Sequence, residues 1–134
     1  MSDSDEAEVR SAFDRLLAAI NTGDVDALRS LMSEEPGSTH IGTEASEWWS
    51  TEEFLAAGSD ANVSQDVTAE ATDVNVHVKG DVAWFEGKGL FKNSAGGERD
   101  IRVTGVFVRE PDGTWKGAQS HASIAVPNDQ IFAS

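Results

Sequence analysis

The apolar pattern of this chain changes its period once, near Thr68, and this change constrains the fold more than any other feature. Before it, apolar residues recur at helical spacing, and after it they alternate with polar ones in extended runs. The extended runs cover residues 74–79, 82–92, 100–110 and 115–126. Helices followed by several long strands are typical of an α+β domain, so we expect one α+β domain over residues 1–134.

Turn signals separate the four extended runs at hairpin spacing. They are Gly80-Asp81, Ala95-Gly96 and Pro111-Asp112-Gly113. Glycine and its Asp and Pro neighbours supply the backbone conformations that tight turns need. The sequence therefore predicts a four-stranded antiparallel meander of long strands.

Two amphipathic helices are predicted at the N-terminal end. The apolar stripe of the first is Val9, Phe13, Leu16, Leu17 and Ile20, and that of the second is Val25, Leu28, Leu31 and Met32. The segment 21–23 ends the first helix, and Asp24 can cap the second. Residues 38–43 are a plausible short strand.

The stretch HIGTEASEWWS at residues 40–50 contains two adjacent tryptophans. Ser50 and Glu53 have the spacing of a capping box, which places Trp49 and Phe54 at the two positions of a hydrophobic staple. This pattern gives Trp49 a structural role at the start of a helix. Trp48 has no such role, so it either lines a pocket or is buried in the core.

The turns also predict which residues share a face of the sheet. The expected cross-strand pairs are Arg109–Trp115, Phe107–Gly117, Gly105–Gln119, Val103–His121, Trp84–Phe107, Glu86–Gly105, Lys88–Val103 and Leu90–Ile101. These residues would then share one face, with Glu86, Lys88, Gln119 and His121 as a polar group between apolar ends. A single bulge would exchange the faces beyond it.

The other face would be rich in valine, and the helices can cover only one face of a sheet. We therefore expect it to be buried against a second subunit in a homodimer. Its expected residues are Val74, Val76, Val78, Phe85, Val106, Val108, Ala118, Ala122 and Ile124.

The order of helices, the GTEASEW segment and the ending RVTGVFVREPDGTWKGAQSHAS resemble the NTF2-like superfamily, in particular its SnoaL-like domains. The motif W-x-x-x-Q-x-H-x-S is also similar to the association domain of calcium/calmodulin-dependent kinases, which has an Arg where this chain has Gly105. The resemblance implies a cone in which a curved sheet wraps helices around a deep pocket and convex faces often pair. It also implies a range of functions, from isomerases, cyclases and dehydratases to non-catalytic assembly domains, because a shared fold does not transfer function.

His121 and Glu86 are the candidate catalytic residues. A histidine titrates near neutral pH and can act as a general base, although a satisfied core histidine is the alternative. A carboxylate in an apolar pocket would have a raised pKa, although an ion pair between Glu86 and Lys88 is the simpler interpretation. Gln119 would orient the ligand, and the other candidate ligand-binding residues are Trp48, Lys88, Trp84, Val103, Phe107 and His40.

The composition limits the kinds of molecule that this chain is expected to bind. The net charge of −14 repels phosphate backbones and anionic lipids, so nucleic acid and membrane are poor candidates. The acidity suits solubility or a saline habitat better than a docking partner. Without cysteine, a metal-binding HExxH motif, a phosphate-binding loop or a signal peptide, we expect a cytoplasmic protein with no metal and no cofactor. The expected function is binding of a small apolar carbonyl or hydroxyl compound, with acid–base proton transfer if it is an enzyme. A non-catalytic ligand-binding or dimerisation module is the alternative.

Overall fold

The computed structural model describes residues 2–59 and 66–132. The helices are α1 (Ser2–Thr22), α2 (Val25–Leu31) and α3 (Thr51–Ser59), with a single 3-10 turn at Asn128–Gln130. The strands are β1 (Thr39–Ile41), β2 (Trp48–Trp49), β3 (Val67–Lys79), β4 (Val82–Asn93), β5 (Glu98–Arg109) and β6 (Trp115–Ser123). The chain is thus an α+β structure, as its change of period predicts.

The strands form one six-stranded sheet in the order β2-β1-β6-β5-β4-β3. The predicted meander of four long strands, β3 to β6, is confirmed and is antiparallel throughout. The short strand β1 adds to β6 in parallel, and β2 closes that edge. The two-residue β2 was not predicted, because so short a strand has no alternating pattern to detect.

The helices pack on one side of this sheet, which we call the inner face. The core joins the α1 residues Val9, Phe13 and Leu16 to Phe107 and Trp115 of the sheet. At its end, α1 is fixed to the edge strand because the Asn21 amide bonds both the carbonyl oxygen and the N–H of Ala69, each at 2.8 Å. We call the opposite side, which no helix covers, the outer face.

The predicted register of β4 against β5 is wrong by one residue. Trp84 lies opposite Val106 instead of Phe107, and Glu86 lies opposite Thr104 instead of Gly105. The reason is the turn, which is one residue off the expected centre because the Asn93 N–H bonds the Gly97 carbonyl and Lys92 pairs with Glu98. Trp84, Glu86 and Lys88 therefore lie on the outer face, and Phe85 lies on the inner face with Phe107.

The last hairpin begins as predicted and then shifts. Phe107 does pair with Gly117, but a bulge between Val106 and Phe107 brings Gln119 opposite Val106 and His121 opposite Thr104. Since neighbours in this part of the sheet alternate in direction, Gln119 and His121 belong to the outer face, and Ala122 belongs to the inner face. Five residues that were expected on the face opposite the helices therefore lie on the inner face. They are Phe85, Ala122 and the β3 residues Val74, Val76 and Val78.

Candidate functional site

A cavity of about 490 Å³ lies between the helices and the inner face of the sheet. Its apolar wall consists largely of α1 and sheet residues, among them Leu16, Leu17, Ile20, Phe85, Phe91, Ile101 and Val103. Pockets of this size and character accommodate small organic ligands, with a few polar groups fixing their orientation. The cavity therefore identifies the candidate site.

His40 and Ser120 form the buried polar pair of this cavity. They face each other on β1 and β6, and the Nδ1 atom of His40 lies 2.8 Å from the hydroxyl oxygen of Ser120. His40 is only 2% exposed and its ring contacts Phe54 with the ring centres 5.2 Å apart. Its second nitrogen, Nε2, has no hydrogen-bond partner within the described chain.

Burial lowers the pKa of His40 to about 4, because the charged imidazolium would lose its hydration. The ring is therefore neutral at physiological pH, with one nitrogen as a donor and the other as an acceptor. The Ser120 hydroxyl can take either role towards Nδ1. The pair can thus satisfy a ligand oxygen that either accepts or donates a hydrogen bond.

The two carboxylates of the lining already have partners. Glu47 accepts a hydrogen bond from the Glu44 N–H at 2.9 Å, and Glu70 forms an ion pair of 2.7 Å with Lys92. Both pairs lie in exposed or half-buried surroundings. In the described lining, the polar side chains that remain available to a ligand are consequently the histidines and the hydroxyl groups.

Three of the predicted site residues contribute to the lining. They are Val103, His40 and His121. Val103 and His40 lie on the inner side, and His40 is buried there. His121 is exposed and lies beside Thr104 on the outer face by register, although both contribute to the cavity edge.

The other predicted site residues lie elsewhere. Phe107 is buried in the core, and Trp84, Glu86, Lys88 and Gln119 are on the outer face, away from the described lining. Glu86 does form an ion pair, but its partner is His77 at 2.9 Å, not Lys88. The His77 ring in turn stacks on Trp84 with centres 5.4 Å apart.

Of the two adjacent tryptophans, Trp49 lines the cavity and Trp48 does not. The capping box is confirmed, since the Ser50 N–H donates to Glu53 Oε1 and the Glu53 N–H donates to Ser50 Oγ. The staple is confirmed by the edge-on contact of Trp49 with Phe54, and Trp49 also lines the cavity. Trp48 is not among the lining residues, and it is not a core residue because it is 68% exposed.

Comparison with known proteins identifies the fold family. Residues 9–127 match the sequence profile of the SnoaL-like domain. The chain belongs to the SnoaL-like domain family. A search of curated protein sequences finds no match for this SnoaL-like chain.

Solved structures show the NTF2-like fold to which these domains belong. A candidate dehydratase of the NTF2-like family from Streptomyces avermitilis is 24% identical, with a TM-score of 0.78 over 93% of this chain and 99% of that one. An NTF2-like protein of unknown function from Pseudomonas putida is 16% identical, with a TM-score of 0.84 over 100% and 96%. A candidate ketosteroid isomerase from Shewanella frigidimarina is 16% identical, with a TM-score of 0.67 over 84% and 92%.

No group of three or more His, Cys, Asp or Glu within residues 2–59 and 66–132 could hold a metal ion. None of the helices in these ranges is both long and apolar enough to cross a bilayer.

Proposed function

We propose that this SnoaL-like domain binds one small, mostly apolar molecule that carries a carbonyl or hydroxyl group. The observation that carries the proposal is the 490 Å³ apolar cavity with the neutral His40–Ser120 pair in its wall. Apolar walls favour an apolar ligand. The polar pair favours a ligand that can form a hydrogen bond with it over one that cannot. The chain's strongly negative charge disfavours anionic ligands at long range.

Proton transfer is the reaction that we propose if the ligand is a substrate. The names of the Streptomyces and Shewanella neighbours support dehydration or isomerisation as the reaction class. Such a reaction needs an acid–base group and no cofactor, and His121 is the catalytic candidate because it lies at the cavity edge. Glu86 is not part of this proposal, since it is engaged with His77 on the outer face.

Ligand binding is tested with prodan, a neutral naphthalene ketone whose emission shifts in apolar surroundings. Val103→Phe fills the cavity, and Val106→Phe makes the same change on the outer face of the same strand. We expect prodan to bind the parent chain and Val106→Phe alike, and to bind Val103→Phe at least about tenfold more weakly. Equal binding by both variants would refute the cavity as the site.

The catalytic part is tested on a ligand retained during purification and identified by native mass spectrometry. Incubation of that ligand with the protein in heavy water, followed by NMR, reports exchange of its acidic C–H protons. We expect exchange with the parent chain and its loss in His121→Ala. A bound ligand that exchanges equally with His121→Ala would leave binding as the function and remove the proposed catalysis.

We also propose that two copies associate through the outer face. Val82 and Trp84 are exposed there among Val106 and Val108. The charges of this face balance by register, since five residues are basic (Lys79, Lys88, Lys92, Arg102 and Lys116) and five are acidic (Glu70, Asp73, Glu86, Glu98 and Asp100). This face therefore does not carry the chain's net charge of −14. Two copies can therefore approach here without the repulsion that the rest of the surface imposes.

Light scattering after size exclusion tests this association at micromolar concentration. Trp84→Glu should give a monomer, and Trp48→Glu, which alters a still more exposed tryptophan off this face, should not. A monomeric parent chain would refute the dimer. A dimer that fails to bind prodan would favour the second candidate function, a non-catalytic dimerisation module.

A further inference from the structure

The C-terminal segment 124–132 carries four exposed apolar side chains. Phe132 is 96% exposed and Ile131 is 58% exposed, and Ile124 and Val126 are also exposed. Four of the exposed large apolar residues are thus concentrated in a segment of nine residues. Clustered exposed apolar groups usually mark a contact surface.

The backbone of this segment is held only by itself. The Gln130 N–H bonds the Pro127 carbonyl at 2.9 Å, and the Ile131 N–H bonds the Asn128 carbonyl at 3.4 Å. Within residues 2–59 and 66–132, no hydrogen bond joins the segment to the remainder of the chain. Because few bonds would have to break, the segment can be moved at small cost.

The segment starts at the cavity. Ala122, two residues before it, lines the cavity opposite Val103 on the inner face. The same cavity is lined by Ile20 at the end of α1 and Val67 at the start of β3, and both are partly exposed. Exposed apolar side chains therefore lie on the cavity rim and on the segment that leaves this rim.

We propose that residues 124–132 form a strap that closes over the cavity when a ligand is bound, with Ile131 and Phe132 packing on the rim residues Ile20 and Val67. The proposal rests on the ligand-binding function proposed above and adds the way in which the bound ligand is retained. Ile131 lies eight positions after Ser123, which allows a reach of up to about 26 Å, enough to cross a compact cavity of this volume.

The strap predicts a kinetic effect. An apolar ligand extends the apolar surface of the rim, so the strap gains more contact when the cavity is filled. Closure then slows release of the ligand more than it changes its entry. Regulation of ligand residence by this segment is the functional consequence.

Removal of the apolar side chains tests the contact. The double variant Ile131→Ser, Phe132→Ser should bind prodan about tenfold more weakly, with most of the change in the dissociation rate measured by stopped-flow fluorescence. Val82→Ser removes an exposed, though less exposed, apolar side chain on the outer face and should change the affinity less than about twofold. Unchanged affinity in the double variant would overturn the strap and leave the ligand-binding proposal intact.

A distance measurement tests the movement itself. The chain has no cysteine, so Ala18→Cys on the exposed side of α1 and Gln130→Cys on the segment can carry two spin labels without further changes. We expect the distance between the labels to shorten on addition of saturating prodan, also after dilution with unlabelled protein. An unchanged distance would overturn the strap. A shortening that dilution abolishes would also overturn it, and would indicate that the segment docks on a second copy. Absence of prodan binding to the parent chain would overturn both proposals.

Discussion

Protonation of His40 should destabilise the fold below neutral pH. Its imidazole is almost completely buried, and burial lowers its pKa from 6.5 to about 4. In the unfolded chain the ring takes up its proton near pH 6.5, so the unfolded state binds more protons than the folded one in the window between these values. The contribution of His40 to stability is therefore fully present above pH 6.5 and is lost as the pH falls towards 4.

The size of this effect follows from the two pKa values. A pKa of 6.5 in the unfolded chain and of about 4 in the folded one gives a loss of about 2 kcal/mol between about pH 7.5 and about pH 5. The full separation of the two values is equivalent to about 3 kcal/mol.

Urea unfolding of the parent chain and His40→Gln at a series of pH values measures this loss. Carboxylates titrate in both proteins, so the difference between their pH profiles isolates His40. The parent should lose about 2 kcal/mol more than His40→Gln between about pH 7.5 and about pH 5. Parallel profiles for the parent chain and His40→Gln would refute the reasoning.

Three further perturbations test the packing and the assignment of faces. Gly89→Ala places a Cβ atom onto the Glu70 carbonyl oxygen and should cost about 1–3 kcal/mol in urea unfolding, whereas at Gly117 the nearest atom lies 3.6 Å away and Ala should be tolerated. Ser50→Ala removes the N-cap of α3 and should cost about 1 kcal/mol in the same assay, and no loss would contradict the capping box. Glu86→Gln breaks the pair with His77 on the outer face, so the prodan affinity should stay within about twofold, and a larger loss would place Glu86 at the site.

Local features of the fold could be predicted from the sequence because their causes are local. The capping box of Ser50 and Glu53 and the staple of Trp49 depend on residues at most five positions apart. The long strands are visible because alternation extends over many residues, and Gly80-Asp81 supplies a two-residue turn that fixes the Lys79–Val82 pair. The fold class followed from these elements alone.

The assignment of faces could not be predicted because it depends on single residues at a turn and a bulge. The second hairpin turns where the Asn93 side chain accepts hydrogen bonds from the Ala95 and Gly97 N–H groups, which shifts the register by one. That one residue transfers Glu86 from the expected pocket to the outer face, since side chains alternate along a strand. His40 was predicted as a ligand-binding residue, but its partner Ser120 was missed for a related reason, because their contact depends on a parallel pairing 80 residues apart in sequence.

The inner face of the sheet also explains why a cavity remains beside a well-packed core. Phe107 and Trp115 pack in the core with α1, whereas the cavity wall places the small residues Ala69, Ala71 and Ala122 among larger ones such as Phe91 and Ile101. Small side chains leave volume that larger ones would fill, so under the proposed function the cavity gives up stability for ligand binding.

Ala122→Leu tests this interpretation of the inner face. Its side chain would extend into the cavity opposite Val103, bury more apolar surface and raise the urea midpoint, while prodan binding should fall at least about tenfold. A gain in stability together with a loss of binding would show that the empty volume itself is the functional feature. Loss of binding together with a lower midpoint would instead indicate that the substitution distorts β6, and would remove this support for the cavity as a ligand site.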